Sequence, residues 1–152
     1  MMSKIVRTVT NILFSFILIF GFYVIMHGHL TPGGGFQGGA VVASGIALVL
    51  IAYGYDHTVE RIKKSNLSVL ESLGALGFIG LAFLGIGTTF FYNFLANAGG
   101  LFGDVTILGI NAGNLNTAGL LPLMNWAVGI KVMAGLGSIV LLMAYGIRGG
   151  NK

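Results

Sequence analysis

The sequence predicts an all-α integral membrane protein of four transmembrane helices, with a long, partly apolar loop between the third and the fourth. Three observations carry this reading. Of 152 residues, 55% are hydrophobic and 8% charged, with a mean hydropathy of +0.92, which lies outside the range of soluble domains. The apolar residues fall in nearly uncharged runs about 20 residues long, enough to cross a hydrocarbon core at roughly 1.5 Å of rise per residue. Seven of the eight Lys and Arg residues lie in three segments that four spans would place on one face of the membrane.

The whole chain, residues 1–152, reads as one membrane domain. Its first span covers about residues 5–27. Lys4 and Arg7 precede it as in a signal peptide, but the run ends in Met26-His27-Gly28-His29 with no small-residue cleavage site, so it is expected to persist as a span. The next stretch, Thr31 to Gly39, should break the helix. Pro32 lacks a backbone donor and holds Thr31 out of the helical region, while Gly33, Gly34 and Gly35 reach angles other residues adopt only with strain. Phe36 and Gln37, flanked by glycines, mark the break as a contact site as well as a turn.

A rather short second span follows over about residues 38–55, then a solvated connector from Asp56 to Asn66 that holds the one charge cluster. The third span covers about residues 69–92 and the fourth about residues 121–147. Small residues recur in them: Ala40 with Ser44 and Ala43 with Ala47 in the second, Gly74, Gly77 and Gly80 in the third, Ala134 and Ser138 in the fourth. Such faces let helices approach closely in lipid, where burial alone drives little association. Residues 93–120 carry Asp104 as their only charge but also Phe94, Leu95, Leu101, Phe102, Val105, Ile107, Leu108 and Ile110. That content predicts an interfacial or re-entrant element covered by neighbours, with glycines and asparagines at its turns.

Lys4 and Arg7, then Arg61, Lys63 and Lys64, then Arg148 and Lys152 mark the cytoplasmic side, so both termini should be cytoplasmic and the glycine break near the outer face. The net charge of +4 comes from too few and too scattered residues for nucleic-acid binding. The absence of cysteine excludes thiolate metal sites, iron–sulfur ligation and cysteine catalysis by this chain. Gly33 to Gly38 match the literal G-x-G-x-x-G pattern, with Asp56 roughly 20 residues on, but a membrane-length apolar run precedes them where a dinucleotide fold needs a short strand. No Walker A pattern, catalytic triad or zinc spacing is present, and His27 and His29 read as interfacial polar anchors. The expectation is a non-catalytic chain with no cofactor and no metal.

Lys131 is the residue whose position demands an explanation. It lies ten residues into the fourth span, where insertion of a charge costs roughly 2.5–3.5 kcal/mol, so it should face protein or a wet cavity and find a partner. An ion or proton path and an assembly-bridging lysine both satisfy this. Glu71, near the start of the third span, is placed to cap that helix and lies about 10 Å away in depth, so the partner of Lys131 is expected on another chain. One lysine and one interfacial carboxylate form a poor relay, which points to a subunit of a larger machine.

Leu30-Thr31-Pro32-Gly33-Gly34-Gly35-Phe36-Gln37-Gly38-Gly39-Ala40 closely resembles the signature of the MnhB/MrpB subunits of multisubunit cation/proton antiporters. The four-span layout and the lysine in the last span fit the same family. The resemblance implies a small subunit of a Mrp-type sodium/proton antiporter in the cell membrane, in contact with lipid and with other membrane subunits, contributing to a path for Na+ and H+ or to its packing. Homologous modules occur in archaeal membrane-bound hydrogenases and related respiratory complexes, so a structural scaffold without ion contact is the alternative. A self-sufficient channel or carrier is a third reading. By position, Pro32, Phe36 and Lys131 match the family's pattern. With Gly33, Gly34, Gly35, Gln37 and Glu71 they make up the candidate ion-path or subunit-contact residues.

Overall fold

The computed structural model describes residues 2–105 and 113–149, apart from the side chains of residues 148 and 149. The expectations for Ile107, Leu108, Ile110 and Lys152, and for the side chain of Arg148, lie outside the described residues. Among the described residues five helices follow one another: α1 (Lys4–Met26), α2 (Gly34–Tyr53), α3 (Tyr55–Arg61), α4 (Lys64–Leu84) and α5 (Leu121–Gly149). All but α3 are long and apolar enough to cross a membrane. The described residues hold no strand beyond an isolated bridge between Asp104 and Thr117, so the G-x-G-x-x-G match lacks a βαβ setting.

Local chemistry sets the helix ends. Ser3 caps α1 by accepting a hydrogen bond from the Val6 amide at 3.4 Å. After Met26 the amides of Leu30 and Thr31 both donate to the His27 carbonyl, which closes the turn. The helix break is narrower than the glycine run. Gly33 takes φ +120 as the N-cap of α2, and Gly34 and Gly35 already belong to the helix. The second span is therefore 20 residues long and not short. The connector is also partly ordered: Gly54, at φ +84, turns the chain from α2 into the short helix α3, where the Thr58 hydroxyl donates to the Gly54 carbonyl at 2.8 Å.

The third span is displaced from its expected position. α4 starts at Lys64 and ends at Leu84, although apolar residues continue to Tyr92. The reason is the Gly85-Ile86-Gly87 turn, after which the chain folds back. The Phe91 amide donates to the Ala82 carbonyl at 3.1 Å, Phe90 packs edge to face on both Phe91 and Phe83, and Phe91 lies tilted against Phe78.

α5 is the centre of the bundle, with α2 and α4 packed along it and α1 packed mainly on α2. Glycines permit these approaches. A Cβ on Gly39 would meet the Gly129 carbonyl at 2.7 Å, one on Gly35 would collide with the Asn125 carbonyl, and one on Gly38 would meet the Gly21 carbonyl at 2.7 Å. Residue numbers rise together across the α2–α5 contact, so these helices run parallel, whereas α4 runs antiparallel to α5. The second span thus packs through Gly35 and Gly39 on one face and Gly38 on another, a tighter set than the alanines and serine read from the sequence.

One end of the bundle gathers the start of α1, the α2–α4 connector and the last turns of α5. The Met2 amide donates to the Ala52 carbonyl at 3.2 Å, and Tyr55 lies 6.0 Å from Tyr145 near the end of α5. The other end carries the α1–α2 turn and the long loop. Asparagines in that loop act as cross-links more than as turn residues. Asn93 donates to the Ala118 carbonyl and accepts from the Leu120 amide. Asn116 accepts from the Phe102 amide at 2.6 Å, and Asn114 donates to Asp104 at 3.2 Å. Leu101 and Val105 nevertheless stay exposed among the described residues.

Candidate functional site

α4 and α5 bring Glu71 and Lys131 together. Lys131 Nζ lies 3.5 Å from Glu71 Oε1, and the two side chains are 47% and 41% exposed. This overturns the expectation that the lysine's partner lies on another chain and that Glu71 caps its helix. Two physical reasons account for it. Because α4 begins at Lys64, Glu71 sits about two turns inside the helix instead of at its N-terminus. Gly74, one turn further on, lets α4 close on α5: a Cβ there would stand 2.7 Å from both the Ala127 carbonyl oxygen and the Lys131 amide nitrogen.

Phe36 completes the site. Phe36, Glu71, Lys131, Val132 and Gly135 line a shallow groove of about 190 Å³ between α2 and α4, floored by α5. Phe36 stands 60% exposed at its rim. Gly35 and Gly39, pressed against Asn125 and Gly129, set the register that puts Phe36 beside this part of α5. The structure thus joins three of the residues picked out from the sequence. It leaves Pro32 in the exposed turn, and the exposed Gln37 folds its side chain over Gly33. Gly34 approaches Asn125. Gly33, Gly34 and Gly35 therefore shape the entry of α2, and the groove is lined by others.

Chemically, the groove offers a cation and a carboxylate in contact, both open to one side, within segments suited to the hydrocarbon core. Neither charge can face lipid cheaply, so this side calls for a neighbouring subunit or water. Sequence reasoning missed Asn125 and Gly129, which seat α2. The signal was available in the four-residue spacing of Asn125 and Gly129, which matches that of Gly35 and Gly39. Among the described residues no three His, Asp or Glu side chains come together as a metal-binding group.

His29, in the α1–α2 turn, links that turn to the long loop. Neither ring nitrogen has a hydrogen-bond partner of good geometry although both are shielded. Burial, and then the neighbouring His27, hold its pKa below the ordinary 6.5, against a backbone group of Asn114 that raises it. The folded chain therefore favours the neutral ring. The stability that burying the neutral ring contributes is complete above 6.5 and is lost as pH falls through the lower folded value. The unfolding stability of the chain is expected to fall as the solution is acidified below 6.5, and His29→Gln to flatten that dependence.

Comparison with known proteins places this architecture. A chain in the solved structure of the membrane-bound sulfane sulfur reductase, an archaeal respiratory membrane complex, superposes with a TM-score of 0.76 at 33% identity, covering 93% of this chain and 58% of that one. An uncharacterized protein of Methanocaldococcus jannaschii is 40% identical over 126 residues, covering 82% of this chain and 45% of its own length. A Staphylococcus aureus protein named "Putative antiporter subunit mnhB2" is 38% identical over 72 residues, covering 47% of this chain and 50% of its own. The chain thus spans about half the length of the curated relatives it matches. The family model described as "Domain related to MnhB subunit of Na+/H+ antiporter" matches residues 5–138, nearly the whole helical bundle, and the chain belongs to that family.

Proposed function

We propose that this chain is a small, non-catalytic membrane subunit of a Mrp-type monovalent cation/proton antiporter module, either free-standing or built into a respiratory complex, and that its Lys131–Glu71 groove borders the sodium path. The single observation behind this is the ion pair left half-exposed inside the membrane-spanning part of the chain. A pair that served only to hold α4 to α5 has no reason to stay open, whereas one beside a wet path does. Other membrane subunits of the complex would close the groove and supply the remaining ionisable groups. Na+ and H+ are the transported ions, and the host is the cell membrane. Both termini and α3 would face the cytoplasm, following the basic residues at that end of the bundle.

A scaffold without ion contact is the second reading, favoured by the exposed apolar faces of α1 and α4, such as Phe16, Ile19, Leu73 and Leu76. One experiment separates the two. Lys131→Ala in the assembled complex is expected to lower cation-dependent proton exchange about tenfold, a barrier change of about 1.4 kcal/mol, at normal assembly. Lost assembly with unchanged exchange per assembled complex would establish the scaffold. If both stay unchanged, the role given to Lys131 is wrong.

A further inference from the structure

At the end of the bundle that gathers the start of α1 and the α2–α4 connector, α1, α2 and α3 enclose a second cavity of about 210 Å³, lined by Asn11, Tyr53, His57 and Arg61 over apolar side chains including Phe14 and Val49. Its polar groups are arranged as donors. The Tyr53 hydroxyl donates to Asn11 Oδ1 at 2.8 Å, which uses the amide's oxygen and leaves its N–H groups for another acceptor. His57 stacks on Tyr53 at 4.8 Å, and its shielded Nδ1 has no hydrogen-bond partner among the described residues. Arg61, one turn beyond His57 on α3, makes no ion pair among the described residues. Arg7 stands one turn before Asn11 on α1. The carboxylates of α3, Asp56 and Glu60, do not line the cavity.

From this geometry we infer a binding site for a phosphate group, held by the Arg61 guanidinium and the side-chain N–H groups of Asn11 beside the His57 ring. An anionic phospholipid headgroup is one source, its acyl chains running along the apolar floor. A soluble phosphate compound is the other. Guanidinium matches phosphate oxygens in a fork of paired hydrogen bonds, and basic residues at a cytoplasmic membrane surface attract anionic lipids. The site lies at the far end of the chain from the α1–α2 turn and does not depend on the ion-path reading.

The full chain in phosphatidylcholine nanodiscs, with and without phosphatidylglycerol, tests this by the lipid retained in native mass spectrometry. The chain should retain phosphatidylglycerol over phosphatidylcholine. Arg61→Gln should cut that preference about tenfold, the lower end of what a hydrogen bond to a charged group is worth. Lys64→Gln, which removes a charge outside the cavity, should leave it. A preference met instead by inorganic phosphate, and lost in Arg61→Gln, assigns the same site to a soluble ligand. Equal losses in both variants, or no preference for either probe, overturn the site in favour of diffuse surface charge. Arg61 is exposed at a helix end, so its replacement leaves the fold intact, and the wild-type preference is a test independent of any variant.

Discussion

Glu71→Gln is expected to destabilise the chain by about 2 kcal/mol and to abolish most cation exchange in the assembled complex. The variant leaves Lys131 with no carboxylate inside a span, where an uncompensated lysine costs roughly 2.5–3.5 kcal/mol, partly relieved here because the groove is open. Replacing both partners by leucine should recover most of the lost stability, because two apolar side chains need no mutual neutralisation in lipid. It should not recover exchange. The measurement is a double-mutant cycle of unfolding in mixed detergent micelles, paired with exchange by the complex. Single variants within about 0.5 kcal/mol of the parent would mean that each charge is already solvated alone and that the pair does not hold α4 to α5.

Gly74→Val should have a comparably large effect by a different route. Its Cβ would press on the Ala127 carbonyl oxygen and the Lys131 amide nitrogen, both at 2.7 Å, and on Lys131 Cβ at 2.9 Å. Backbone atoms cannot swing aside as a flexible side chain does, so α4 must move off α5. Overpacking of this kind costs about 1–3 kcal/mol, and here it also parts Glu71 from Lys131. Gly80, two turns along the same helix, has nothing within 4 Å of a Cβ. Gly80→Val should leave the isolated chain within about 0.5 kcal/mol of the parent. If it disrupts the assembled complex, that end of α4 is a contact for another subunit. Unfolding of the isolated chain and co-purification of the complex report the two effects separately.

Periodicity and charge were informative where one physical effect dominates. The exclusion of polar residues from hydrocarbon made four spans legible, and the clustering of Lys and Arg made it legible that the start of α1, the end of α5 and the second connector share an end of the bundle. Helix ends were harder. Apolar side chains run past Gly85 to Tyr92, so hydropathy alone extends the third span, whereas backbone freedom at Gly85 and Gly87 ends it at Leu84. Conversely, Gly34 and Gly35 looked like part of a break but lie inside α2, because close packing on Asn125 rewards the missing side chain. The asparagines of the long loop read as turn formers, yet their side chains bind residues up to 27 positions away, a pairing that local propensity does not encode.

The candidate site divides the same way. By itself the sequence determined that Lys131 needs a partner, because a charge in a span is costly whatever surrounds it, and the stretch from Leu30 to Ala40 carried the family resemblance. The tertiary structure alone decided which partner that is. The 3.5 Å contact with Glu71 depends on the start of α4 at Lys64, on the antiparallel register against α5 and on the absence of a side chain at Gly74. Each of these is a relation between helices far apart in the chain, set by how closely their backbones can approach.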